Sequence, residues 1–72
     1  IEGVKSSIVD VSLGGAKVRT QRRFLPGERI RLDLPWVGAP TFGWVLESME
    51  IAPTVGVEAR IRFENALTKL PA

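Results

Sequence analysis

The stretch Asp10-Val11-Ser12-Leu13-Gly14-Gly15 holds the side chains of this sequence best suited to chemistry. Asp10 and Ser12 are one strand period apart, so on an extended chain both leave the same face. A carboxylate offers two acceptors side by side, which match a group carrying two adjacent N–H donors. The guanine edge, with its N1–H and exocyclic amine, is such a group. The Ser12 hydroxyl adds a donor or an acceptor beside it. Gly14 and Gly15 follow at once, and glycine permits positive φ and lets another group come close to the backbone. Six of the ten basic residues stand just downstream: Lys17, Arg19, Arg22, Arg23, Arg29 and Arg31. Acceptors for guanine beside cations for phosphate describe a guanine nucleotide site, with Lys17 and Arg19 nearest the turn. A plainer reading stands next to it. Asp10 and Ser12 can tie down the turn through local backbone bonds alone, and the cations can be a solvated strand face.

Covalent and acid–base catalysis are hard to build from the rest. The chain has 72 residues and no cysteine, histidine or tyrosine. A serine nucleophile lacks its usual base. General acid–base work at neutral pH would fall to carboxylates or lysines with strongly shifted pKa values, which need deep burial. No phosphate-loop pattern ending in Gly-Lys-Ser/Thr occurs, and a structural zinc site has neither of its usual ligand types. The expectation is a binding module, not an enzyme, with no metal and no cofactor. The apolar share of 44% and charged share of 25% suit a folded domain, and no apolar run approaches the ~20 residues that would span a bilayer. The absence of cysteine fits a cytoplasmic setting. At this length a single domain covering residues 1–72 is expected, burying only ~60% of the surface its unfolded chain exposes. The sequence starts at Ile1, not Met, as expected of a processed or truncated piece of something longer.

The elements that must position the turn repeat with a period of two. In Glu28-Arg29-Ile30-Arg31-Leu32-Asp33-Leu34, apolar and charged residues alternate strictly, the mark of a half-buried strand. Val55, Val57, Ala59, Ile61 and Phe63 alternate with polar residues and glycine, and Ala16, Val18 and Thr20 with Lys17, Arg19 and Gln21. Val4 to Val11 is rich in β-branched residues, and Phe42 to Ile51 is mostly apolar, consistent with a strand buried on both faces. Gly14-Gly15, Pro26-Gly27, the span from Pro35 to Pro40, and Pro53 punctuate these runs. Five short strands at this spacing predict an all-β domain, a small antiparallel β-barrel or sandwich. Glu64 to Leu70 is expected to add a short C-terminal helix capped by Asn65. Trp44, mid-strand, is expected in the core, and Trp36, in the Pro/Gly-rich loop, partly exposed.

The order Asp10-x-Ser12-x-x-Gly15, read as Asp-Val-Ser-Leu-Gly-Gly-Ala-Lys-Val, resembles the signature of the PilZ domain. The likeness continues through Pro26-Gly27-Glu28-Arg29-Ile30-Arg31-Leu32, Gly43-Trp44-Val45-Leu46-Glu47 and Ile61-Arg62-Phe63-Glu64-Asn65, covering nearly all of the chain from Val4 to Leu70. The resemblance implies a six-stranded antiparallel barrel that senses cyclic di-GMP, a bacterial second messenger. It implies that Asp10 and Ser12 contact a guanine and that Gly15, with Gly14 beside it, keeps the turn tight beneath the base. Lys17 and Arg19 then face phosphate. A cytoplasmic setting with no DNA partner and no membrane span is expected, and a protein-interaction member of this fold would act in motility, pilus or polysaccharide processes.

Two departures from the family pattern are visible. The family's Arg-x-x-x-Arg motif precedes its first strand, yet no Arg stands ahead of Asp10 here. Arg19-Thr20-Gln21-Arg22-Arg23 has that spacing but lies downstream and is not assigned the role. The chain is therefore expected to be either N-terminally truncated, without the family's first strand, or divergent. A divergent domain would act as a protein-interaction adaptor, using the Trp36 loop or an open sheet edge for a partner protein or a second copy. Arg60 stands where many members carry Gly and is expected to crowd the barrel end. A barrel for single-stranded nucleic acid is disfavoured, because only Phe24 lies among the clustered cations.

Overall fold

In the computed structural model, residues 6–52 and 56–71 are described. They form five strands: β1 (Ser6–Val11), β2 (Gly15–Thr20), β3 (Arg29–Leu32), β4 (Thr41–Ala52) and β5 (Gly56–Phe63). All pairings are antiparallel, in the order β1-β2-β5-β4-β3, and the sheet curls into a half-barrel. Val4, Pro53 and Val55, read above as strand start, turn and strand start, lie outside the described residues.

The alternation seen in the sequence is what builds the interior. Ala16 and Val18 of β2, Ile30 and Leu32 of β3, Val45 of β4, and Ala59, Ile61 and Phe63 of β5 all point into one core. Phe24 and Leu34 close it from the connections. Between β2 and β3 the chain turns at Leu25-Pro26-Gly27-Glu28, where the Glu28 amide donates to the Leu25 carbonyl at 3.0 Å. Pro26 presets its own φ, and Gly27 takes φ +88°, the sequence order a type II turn requires.

Three expectations about burial and secondary structure need correction. Trp44 is not in the core; it is 41% exposed on the outer face. Gly43 and Val45 take the inward positions of β4, and the strand period then sends Trp44 outward. For the same reason β4 is not buried on both faces, and Leu46, Met49 and Ile51 are exposed along it. Residues 64–70 form no helix. Their polar groups are used elsewhere: the Glu64 amide donates to the Phe42 carbonyl at 2.9 Å and the Leu67 amide to the Leu13 carbonyl at 2.7 Å. The Lys69 carbonyl accepts from Trp36 Nε1 at 3.1 Å. The tail is thereby tied to the β1–β2 turn, to β4 and to the Trp36 loop rather than coiled on itself. Of the apolar residues Ala66, Leu67 and Leu70 in this segment, Leu67 alone packs on the core, and Trp36, as anticipated, is part-buried against the same core.

The two edge strands differ. β3 is four residues long and carries Arg29 and Arg31, which blunt it against further pairing. β1 is exposed along almost its whole length and has a partner on one side only among the described residues.

An exposed ion pair ties the end of β5 to β3. Arg29 Nε donates to Glu64 Oε2 at 2.7 Å, and the same guanidinium lies 4.2 Å from the Phe42 ring centre. The hydrogen bond from Arg29 holds the Glu64 carboxyl below the usual glutamate range. A carboxyl whose folded pKa is lowered stabilises the fold above its unfolded value and stops doing so as pH falls through the folded one. Unfolding midpoints in urea should therefore drop modestly on acidification through that window. The Glu64→Gln variant should show a smaller drop, and added salt should shrink the difference between the two proteins.

Candidate functional site

The β1–β2 turn is tied from within and from outside. The Ser12 amide donates to the Gly15 carbonyl at 2.8 Å, and Ser12 Oγ donates to the same oxygen at 3.3 Å. The carbonyls of Leu13 and Gly14 accept from Leu67 and from Phe63, the latter at 2.8 Å. Ser12 thus does the turn-forming work that the plainer reading assigns to it. Neither Gly14 nor Gly15 takes a positive φ, so conformational freedom is not why they are there. Gly15 serves close approach instead: a Cβ at this position would stand closer than 3.0 Å to the Ile61 carbonyl oxygen. Around Gly14 there is open space.

An open cleft of about 570 Å³ lies on the outer face against this turn. Asp10, Ser12, Gly14, Gly15 and Lys17 line it from β1 and β2, and Leu46, Glu47, Arg60 and Arg62 from β4 and β5. Sheet register explains the gathering. Asp10 pairs with Lys17, Lys17 with Arg60, and Arg60 with Glu47, so one row of charged residues crosses four strands. A bulge in β1 between Ile8 and Asp10, and another in β4 between Val45 and Glu47, set that row. Arg60 lies on the outer face and does not crowd the barrel end; its side chain is half exposed.

The expected cationic cluster is not a free anion patch. Lys17 and Arg19 share Glu58, at 3.7 and 3.2 Å. Arg22 pairs with Glu28, Arg23 with Glu50, Arg29 with Glu64, and Arg31 with Asp33. Some of these acids are close in sequence, as Asp33 is to Arg31 and Glu28 to Arg22, and others, as Glu50, Glu58 and Glu64, are brought in by the fold, and the positive field is largely cancelled. Arg19 is also one row away from the cleft and does not line it, whereas Lys17 does.

Asp10 is the exception among the acids. Among the described residues it is the only carboxylate without a cation partner. One of its oxygens, Oδ1, accepts from the Val11 amide at 2.9 Å. The chain matches the family model of the PilZ domain over residues 2–69. The chain belongs to the PilZ family. No curated protein and no solved structure matches it significantly.

PilZ domains are binding modules of a cyclic di-GMP receptor family. In this PilZ domain the Asp10-x-Ser12-x-x-Gly15 signature occupies one wall of the cleft. Among the described residues, no group of three or more His, Cys, Asp or Glu converges to hold a metal, and no helix is long and apolar enough to cross a membrane. Leu46, Glu47, Arg60 and Arg62 in the opposite wall were not singled out as site residues from the sequence. Arg60-x-Arg62 does announce two cations on one strand face. What places them against Asp10 is the pairing of β2 with β5, far apart in the chain.

Proposed function

We propose that this PilZ domain binds cyclic di-GMP in the cleft at the β1–β2 turn, with Asp10 accepting from a guanine edge. The observation that carries this is the state of Asp10. A carboxylate that has no counter-charge among the described residues, in a cleft lined by Lys17, Arg60 and Arg62, suits a ligand that brings N–H donors for the acid and phosphates for the bases. Ser12 holds the turn through the Gly15 carbonyl and lines the same cleft. Gly15 lets β5 come close enough to form the floor. Lys17 contributes charge, and Arg19, held by Glu58 outside the cleft, contributes little. On this reading the domain works in the bacterial cytoplasm as a sensor, with no chemistry of its own.

A second reading is favoured by one observation. Trp44, Leu46, Met49 and Ile51 are all exposed along β4, an apolar strip of the kind that docks proteins. On that reading the domain is an adaptor and the nucleotide plays no part.

Calorimetric titration of cyclic di-GMP separates the two. The protein used should include any residues its gene encodes ahead of Ile1. Saturable heat with a one-domain stoichiometry is expected. No heat at millimolar nucleotide leaves the adaptor reading in its place.

A further inference from the structure

The bulge in β4 does something specific to the cleft. Val45 pairs with Ile61, and without the extra residue Leu46 the next partner of Arg60 would be Leu46 itself. The register shift puts Glu47 there instead, and Arg60 Nη1 lies 3.4 Å from Glu47 Oε1. Bulges beside sites commonly re-aim one side chain in this way. Arg62, one strand period further along the same face, also lines the cleft. Among the described residues it has no carboxylate partner. The cleft therefore holds one arginine open and one arginine occupied by an internal acid.

We propose that Arg60 and Arg62 are the phosphate clamp of this cleft, and that Glu47 is an internal counter-ion which an anionic ligand must displace from Arg60. The inference rests on the cyclic di-GMP reading and adds to it where the phosphodiester goes and what opposes its binding. The chemistry is direct. A guanidinium presents paired N–H donors that fit a phosphate's two free oxygens. Arg62 can take a phosphate at once. Arg60 can do so only by exchanging Glu47 for it, and the released carboxylate is left to water. The Glu47–Arg60 pair is suited to exchange, being longer than the other arginine pairs bar none and about half exposed on both sides, and pairs of this kind hold weakly. Glu47 also sets a selectivity. Its charge repels any carboxylate or phosphate that enters without displacing it, so a weak monoanion gains less than a diphosphorylated ligand that reaches both arginines.

The test is a calorimetric series with cyclic di-GMP on the full protein. Glu47→Gln should bind about two- to fivefold more tightly, which is the strength of an exposed ion pair removed from competition. Arg62→Gln should bind at least about tenfold more weakly, and Arg62→Lys should fall between, since it keeps the charge and loses the fork. Guanosine carries no phosphate, and its binding, followed by amide NMR shifts, should be the same in all of these variants. Both substituted positions are exposed, and thermal melts identify any variant that has lost its fold. Unchanged or weaker binding in Glu47→Gln, or unchanged binding in Arg62→Gln, overturns the clamp while leaving the guanine reading intact. An equal change for guanosine overturns it too, because the arginines would then act on the base. No binding by either the unaltered protein or Glu47→Gln overturns the nucleotide reading, and the clamp with it.

Discussion

Replacing Gly15 by alanine is expected to lower the melting temperature by roughly 10–20 °C, the response of a domain of this size to a loss of about 2–3 kcal/mol. The cause is steric and local. The new methyl would stand closer than 3.0 Å to the Ile61 carbonyl oxygen and within 3.5 Å of the Arg62 Cα. Both are backbone atoms of a central strand, paired on its two sides with β2 and β4, so neither can swing away as a side chain could. Relief requires β2 to separate from β5 where Gly15 pairs with Arg62. That strain falls in the range of overpacked interiors, where added carbon costs about 1–3 kcal/mol. In a domain whose whole stability is only several kcal/mol, this is a large fraction. Gly14→Ala is the control. It meets nothing within 4 Å and has no positive φ to lose, so its midpoint should stay within about 0.5 kcal/mol of the original. Thermal or urea unfolding followed by circular dichroism measures both. Equal midpoints for the two variants would remove the close-approach account of Gly15.

Replacing Asp10 by alanine is expected to weaken cyclic di-GMP binding by about a hundredfold while leaving the fold intact. The carboxylate would accept two N–H bonds from the base edge, and bonds to a charged group contribute about 1.5–3 kcal/mol each. The low end of that sum, about 3 kcal/mol, corresponds to two orders of magnitude in affinity. Stability should change little, because Asp10 is exposed and its one internal bond is to the neighbouring Val11 amide. Asp10→Asn should be nearly as damaging, since its amide turns a donor toward donors. A cyclic dinucleotide of adenine should not compete, because the adenine edge lacks the two adjacent donors. Titration calorimetry on the three proteins reads all of this. Full affinity in Asp10→Ala would dismiss the carboxylate as the base contact. Taken together the two substitutions separate roles inside one short motif: Gly15 for the fold, Asp10 for the ligand.

Much of the fold was legible because period-two patterning is a local property. Arg29 to Leu32 and Gly56 to Phe63 alternate in the chain and alternate in burial. The tail from Glu64 was misread as helical because its donors go to partners remote in sequence, at Leu13 and Phe42. Trp44 was misread because a large aromatic among apolar neighbours does not reveal which face of its strand is inward. The clustered cations looked like an anion patch because the acids facing Lys17, Arg19, Arg23 and Arg29 lie far along the chain. Glu58, which holds both Lys17 and Arg19, is far along the chain.

The residues alone were enough to identify strands, turns, the signature Asp10-x-Ser12-x-x-Gly15 and the absence of ordinary catalytic side chains. Those follow from local chemistry: side-chain alternation, turn preferences and which functional groups exist at all. Only the folded sheet decided which charges are spent and which remain. Strand order and two bulges brought Arg60, Arg62 and Glu47 across from Asp10, and left Asp10 without a counter-charge while every other described acid has one. Register is a long-range property, because a one-residue slip sends every side chain of a strand to the opposite face. The charge left over for a ligand is therefore a consequence of pairing across the sheet, and no window of sequence contains it.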